Sequence, residues 1–188
     1  LTASKNNINL KKINSEFRNY IPLKKRYYVD GKQFMREDIE ENPIFYQNLI
    51  SENYLQECAD TYDLFVVSDY QKGLISTEIM QKIISISNSN NVPLFIDTKN
   101  KNFKSIINSF CLKINQTEFN CLFKQFKIEF QDSIEDINNK INKARKIANI
   151  KNLILTLGPL GSTLANEREV VNIKPEPVDV VDLSLIHI

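Results

Sequence analysis

The chain has 188 residues, a formal net charge of +1 and 42% hydrophobic residues. These values are typical of one globular domain with a sizeable core, and they argue against a disordered chain or a strongly basic nucleic-acid-binding protein. No apolar run approaches the roughly 20 residues of a membrane-spanning helix. We therefore expect neither a nucleic acid nor a membrane as a partner.

Two scarce residue types restrict the chemistry. The chain has one histidine, His187, and four glycines. The single histidine argues against Ser-His-Asp or Cys-His catalysis and against a metal site built from several histidines. Neither GxGxxG nor GxxxxGK[ST] occurs, so a Rossmann fingerprint and a Walker A loop are absent. The three cysteines form no CxxC pair, which favours reduced thiols and a cytoplasmic location.

The amino-terminal part of the sequence predicts extended structure. Residues 24–30 and 32–38 flank the dipeptide Asp30-Gly31, which is typical of tight hairpin turns. A weaker strand candidate covers residues 9–13. Because this hairpin precedes the pattern found in the rest of the chain, we predict that it forms a small accessory sheet such as a lid.

Helical and strand patterns alternate along the remainder of the chain. The predicted helices are 44–59, a segment capped by Ser76, 103–110, 117–124, and a segment from a capping box at Ser133 to about Asn149. The predicted strands are 64–67, 92–96, 111–114, 153–157, 162–165, 170–173 and 178–181. Four strand–helix alternations favour an α/β fold with a mostly parallel sheet.

Polar residues follow the carboxyl end of every predicted parallel strand, where ligands bind in open α/β sheets. They comprise carboxylates, lysines, an amide and a hydroxyl: Asp69, Asp97, Glu118, Lys72, Lys99, Lys113, Asn115 and Thr156. Phosphate chemistry uses this mixture, because cations and amides hold phosphate oxygens while a carboxylate orders Mg²⁺ or its waters.

Each of these residues also has a purely structural interpretation. Asp or Asn after a strand is more often a turn former or a helix N-cap than a ligand. Asn115 and Glu118 have the spacing of a reciprocal cap, and Lys72 and Lys99 fit solvated surface charges. The occurrence of such residues at all four strand ends favours a shared site.

Several segments resemble motifs of ribokinase-like carbohydrate kinases of the phosphofructokinase-B type. The segments 67–73, 92–99, 113–119 and 156–161 are similar to the motifs SDYxKG, PVLIDPK, PNxxEF and VTxGxxG, respectively. Lys25-Arg26 and residues 36–40 resemble the KxR…RxDxE lid strands. Within the family the similarity is strongest to the D-glycero-β-D-manno-heptose-7-phosphate kinases of ADP-heptose synthesis.

The resemblance implies a ribokinase-like α/β fold and a partial kinase domain over residues 1–182. This domain would comprise lid strands at about 9–40 and an α/β core at about 44–182. Residues 183–188 are expected to be a non-native tail. The resemblance implies ATP and Mg²⁺ as cofactors and phosphorylation of a sugar phosphate, heptose 7-phosphate to the 1,7-bisphosphate. It also implies a homodimer through the lid strands. Two alternatives stay open: another sugar kinase of this fold, and a non-catalytic nucleotide-binding or dimerisation module.

The resemblance also carries roles onto individual residues. The nucleotide-binding set is Lys113, Asn115, Gln116, Thr117, Glu118, Thr156, Gly158 and Gly161, with Glu118 also the metal residue. The set around the phosphoryl-transfer region is Asp69, Lys72, Asp97 and Lys99.

The sequence departs from the family at the catalytic motif and at two proline positions. The family places its catalytic base in a GAGD motif, and the corresponding position here is Ile188. No residue is therefore assigned as catalytic, and we expect this chain alone to show no turnover. Thr98 and Ile114 stand where the family motifs have proline.

Overall fold

The computed structural model describes residues 23–39, 50–99, 101–127 and 137–176. The predicted strands at 9–13 and 178–181, the capping box at Ser133 and the tail at 183–188 lie outside the described residues.

The amino-terminal hairpin forms a two-stranded antiparallel sheet of its own, as predicted. Its strands are β1 (Leu23–Val29) and β2 (Lys32–Ile39). The turn residues Asp30 and Gly31 have φ values of 50° and 75°, and left-handed geometry at both turn positions matches the twist of the flanking strands. Neither strand of the hairpin pairs with a strand of the main sheet.

The main sheet has six strands in the order β3-β4-β5-β6-β7-β8. Their bounds are β3 Phe65–Asp69, β4 Leu94–Thr98, β5 Cys111–Asn115, β6 Asn152–Thr156, β7 Ser162–Ala165 and β8 Val170–Ile173. The first four run parallel, whereas β7 and β8 are antiparallel additions. The predicted mostly parallel α/β sheet is confirmed.

Four α-helices connect the strands within the described ranges: α1 Glu52–Thr61, α2 Thr77–Ser89, α3 Gln116–Phe126 and α4 Ile137–Ile147. Ser51 and Ser76 cap α1 and α2, since each side chain accepts a hydrogen bond from the backbone N–H three residues later. Within the described ranges, no helix combines the length and apolar character needed to cross a bilayer.

The core lies on one face of the sheet. Inward-facing strand residues such as Ile96, Leu112 and Leu153 pack in one apolar cluster with helix residues such as Ile83. The opposite face is more open, because Val66 is 70% exposed there. The helices therefore shield one side of the parallel sheet from water.

One predicted helix is wrong. The segment 103–110 contains only a single 3₁₀ turn, Phe103–Ser105. Asn108 has a φ of 65°, and its N–H donates to the carbonyl of Ala148 at 3.2 Å, outside its own segment. A left-handed residue bonded to another loop cannot continue a helix, so the apolar spacing here reflects burial of Phe103 and Ile106 from a turn.

Asparagine occupies several left-handed positions at the amino-terminal edge of the sheet. Asn91 and Asn149 follow α2 and α4 with φ values of 55° and 49°. Asn is the ordinary residue that tolerates this conformation best after glycine. These helices therefore end without glycine.

Gly161 has a stricter requirement than the other turn glycines. Its φ is +92°, and a Cβ there would collide with the backbone carbonyl of Ile173 and the ring of Pro175. Gly158, in the same turn, has a φ of +58° and open space around its missing Cβ.

We predict that Gly161→Ala destabilises the protein by more than 2 kcal/mol, whereas Gly158→Ala costs about 1 kcal/mol from backbone strain alone. Urea unfolding of both variants measures the difference. Equal destabilisation would contradict the close approach of β8 to this turn.

Candidate active site

The four parallel strands end side by side, as the sequence predicted, although Asp97 lies within β4 and not after it. Asp69, Thr98, Asn115 and Thr156 are the final residues of β3, β4, β5 and β6. Asp69 pairs in register with Thr98, and Asn115 with Thr156. All four segments thus reach one edge of the sheet, the edge where ligands bind in open α/β folds.

A charged pair links the end of β4 to the first turn of α3. Lys99 Nζ lies 3.0 Å from Glu118 Oε1, and the Glu118 side chain is only 8% exposed. The hydrogen bond that Lys99 donates to this nearly buried carboxylate raises the pKa of Lys99, against a smaller opposing effect of burial. Lys99 therefore stays a cation at neutral pH.

Asn115 and Glu118 form the reciprocal cap that their spacing allowed. Glu118 N–H donates to Asn115 Oδ1 at 2.9 Å, and Asn115 N–H donates to Glu118 Oε2 at 2.8 Å. Gln116 and Thr117 are exposed in this first turn of α3. Helix first turns carry backbone N–H groups without intrahelical acceptors, so the turn can face an anion. The cap and a ligand-facing role are compatible.

A second ion pair joins neighbouring strands on the more open face. Lys113 Nζ lies 3.0 Å from Asp97 Oδ2, and the two residues are register partners on β5 and β4. Both side chains are a little over one-third exposed. This pair is therefore solvated and able to exchange partners when an anion arrives.

Asp69 is the most enclosed carboxylate at this edge, with 5% exposure. Its Oδ2 accepts from Thr98 Oγ1 at 2.8 Å, and its Oδ1 accepts from the Gln71 N–H at 2.8 Å. In the sequence Thr98 was only a departure from a motif, and no local pattern pointed to its contact with a residue on another strand.

The turn after β6 contains the remaining predicted nucleotide residues. Thr156 donates to the carbonyl of Ile114 at 3.4 Å, and Leu157 N–H donates to the carbonyl of Gly161 at 2.8 Å. Gly158 and Gly161 both have positive φ. Lys72 is exposed in the loop after β3, one residue before Gly73, whose φ is 88°. These residues border the same strand ends.

The donor set fits a divalent cation that is bound together with phosphate. Asp97 and Glu118 supply carboxylates at the edge, although each already contacts a lysine. Within the described residues, no three His, Cys, Asp or Glu side chains cluster as a closed metal cage. Mg²⁺ is usually held by one or two carboxylates plus waters and substrate phosphates, which is the arrangement this edge allows.

The chain matches one known protein family over most of its length. Residues 34–184 match the model of the pfkB family carbohydrate kinases. The chain belongs to this family. The matched range includes most of strand β2 of the hairpin and the whole of the six-stranded sheet, so membership covers most of the described chain.

The chain is also similar to a longer bifunctional protein. The chain is 26% identical over 156 residues to the bifunctional protein HldE of Aliarcobacter butzleri, an alignment that covers 81% of this chain and 31% of the relative. The chain thus spans about a third of the length of that relative.

Solved structures share the fold. A tetrameric inhibited form of Escherichia coli phosphofructokinase-2 aligns with a TM-score of 0.65 and 16% identity over 95% of this chain and 58% of that one. Arabidopsis thaliana ribokinase aligns with a TM-score of 0.61 and 18% identity over 81% of this chain and 48% of that one. The ribokinase-like fold is confirmed.

We predict that Lys99→Met lowers the free energy of unfolding by about 1 kcal/mol, since it strands a nearly buried carboxylate. The raised pKa of Lys99 means that this contribution is fully present below about pH 10.5 and is lost as pH rises through the folded pKa. The difference between the variant and the wild-type protein should therefore be constant from about pH 6 to 9 and should shrink above pH 10.5.

The matched control is Lys82→Met, which breaks an exposed pair to Glu52 at 3.3 Å. It should cost no more than about 0.5 kcal/mol. Urea unfolding across pH measures both variants, and a Lys99 effect as small as that of Lys82 would contradict a structured Lys99–Glu118 pair.

Proposed function

We propose that this edge of the sheet binds ATP and that the protein is a sugar kinase acting on a sugar phosphate. The observation that carries the proposal is the meeting of four strand ends with two lysines and the first turn of α3. Family membership supports it, and so does the ribokinase neighbour, whose structure was determined with ribose and ATP.

Lys99 and Lys113 would neutralise phosphate oxygens by exchanging their carboxylate partners for the nucleotide. The exposed first turn of α3, with Gln116 and Thr117, would face the phosphates through its backbone N–H groups. Thr156 and the turn glycines would approach the nucleotide from the next strand. Phosphoryl transfer depends on such positioning and charge stabilisation more than on covalent steps by the protein.

Glu118, with Asp97, would order Mg²⁺ once Lys99 shifts towards the phosphates. The metal ion neutralises the charge of the transferring phosphoryl group when it is bound. Lys72 and Asp97 would border the transferred group. Asp69 belongs to the same region.

The hairpin supports a phosphorylated sugar as the acceptor. Arg26 and Arg36 are direct cross-strand partners, and like charges in that position repel each other. Arg36 Nε is 3.1 Å from Asp38 Oδ1, which compensates one of the two charges. A substrate phosphate would relieve the remaining repulsion. We propose heptose 7-phosphate as this substrate, in ADP-heptose synthesis, because the relatives carry the name HldE.

We predict that the chain binds Mg·ATP and that Lys113→Met weakens binding about tenfold, because it removes one charge-assisted phosphate contact. The control is Lys151→Met, an exposed lysine just before the amino end of β6, at the opposite edge. It should leave the affinity unchanged. Isothermal titration calorimetry measures both.

The outcomes separate the alternatives. Absence of nucleotide binding by the wild-type protein would contradict the proposal. Binding of ATP with preference for an unphosphorylated sugar would favour another sugar kinase of this fold. Binding of ATP without any effect of sugar phosphates would favour a non-catalytic nucleotide-binding module.

We also propose that the hairpin mediates a homodimer. Leu23, Tyr27, Met35 and Ile39 lie on one face by register, and each is 40–48% exposed. The Lys25–Glu37 ion pair lies on the same face between them. A two-stranded sheet alone is only marginally stable in water, so a second copy that covers these four apolar side chains would stabilise it.

We predict a dimer in sedimentation experiments, and we expect Met35→Asp to convert it to a monomer by burying an unpaired charge at the contact. Leu160→Asp, at a residue 78% exposed outside the hairpin, should leave the dimer intact. A dimer that survives Met35→Asp would place the contact elsewhere.

A further inference from the structure

Asp69 differs from the other charged residues at the strand ends in its partners. Lys99, Lys113, Asp97 and Glu118 all take part in ion pairs at this edge. Asp69 has no ion pair within the described residues, and both of its carboxylate oxygens accept neutral hydrogen bonds at 2.8 Å. Its solvent exposure is only 5%. Both oxygens of the Asp69 carboxylate are therefore directed to neutral donors within the protein.

Thr98, the main side-chain partner of Asp69, is fully buried at 0% exposure. Its hydroxyl joins the last residue of β4 to the last residue of β3, which are already in register. The next residue continues the same contact, because Lys99 N–H donates to the Asp69 carbonyl oxygen at 2.9 Å. Both the main chain and the side chain of Asp69 thus hold the end of β4.

Lys99 connects Asp69 to Glu118. The backbone of Lys99 is fixed by Asp69, and its side chain spans from there to Glu118 Oε1 at 3.0 Å. Lys99 has a flexible four-carbon stem, so its ammonium position depends on where the backbone starts. A β4 end that was free to fray would release that position.

We propose that Asp69 and Thr98 form a buried clasp that positions Lys99 against Glu118, and that Asp69 is a positioning residue without direct contact to substrate or nucleotide. This inference concerns the same edge as the proposed ATP site and rests on that function only for its second readout. It also gives Thr98 a role specific to this chain, since proline cannot donate the hydrogen bond.

The first test measures energetic coupling, which needs no ligand. A double-mutant cycle of Lys99→Met and Glu118→Gln is measured by urea unfolding of the full chain, once with Thr98 and once with Thr98→Val. We expect clear coupling with Thr98, near-complete loss of coupling with Thr98→Val, and recovery with Thr98→Ser, which keeps the hydroxyl.

A matched control separates positioning from general destabilisation. Thr163 is also a buried strand threonine, and its hydroxyl donates to Asn172 Oδ1 at 2.7 Å. It lies on β7, three strands away from β4 in the sheet. Thr163→Val and Thr98→Val should each raise the unfolding equilibrium constant, by about tenfold. Only Thr98→Val should abolish the Lys99–Glu118 coupling. Unchanged coupling in Thr98→Val would overturn the clasp.

The second readout is affinity for Mg·ATP, measured at a temperature where all variants are folded. Asp69→Asn and Thr98→Val should weaken binding by a similar factor of about three to ten, and the double variant should be no weaker than either. A large loss with Asp69→Asn and none with Thr98→Val would show that Asp69 contacts the ligand and would overturn the proposal. If the wild-type protein binds no nucleotide, the proposed function fails, whereas the coupling cycle still decides the clasp.

Discussion

Parallel pairing of β3 to β6 is the constraint on which the rest of the site depends. Because these four strands run in one direction, their carboxyl ends lie at a single edge, and each connection must cross back over the sheet as a helix or turn. Residues far apart in sequence, such as Asp69 and Thr156, thereby reach the same edge of the sheet. The chemistry of this edge follows from the direction of the strands and from the residues that end them.

The charges at this edge are balanced within the protein. Each of the two lysines has a carboxylate partner at 3.0 Å, so the cations needed for phosphate do not repel each other in the unliganded state. The two pairs differ in their surroundings. Glu118 is nearly buried and accepts hydrogen bonds from both Lys99 Nζ and the Asn115 N–H, which makes its ion pair the more ordered one. In the other pair, the side chains of Lys113 and Asp97 are both solvated. An arriving anion therefore meets one firmly placed cation and one adaptable cation.

The architecture and the meeting of the strand ends at one edge were predictable because they depend on local patterns. The Asp30-Gly31 turn and the buried apolar runs gave the hairpin and the parallel strands, and Asn115 with Glu118 gave the start of α3. Side-chain pairing was not predictable, because whether Lys99 meets Glu118 depends on register and helix placement that no local pattern contains. The predicted helix at 103–110 failed for a related reason: its spacing matched a helix, and a distant loop took its backbone donor.

The left-handed positions show how little of this fold requires glycine. At the ends of α2 and α4 asparagine closes the turn, and the Asn149 amide donates to Asn108 Oδ1 at 2.8 Å. At Gly161 the carbonyl of Ile173 lies where a Cβ would be, so no side chain fits there. Glycine and asparagine thus share the left-handed turns of the described residues, and crowding by a neighbouring strand restricts the choice to glycine at Gly161.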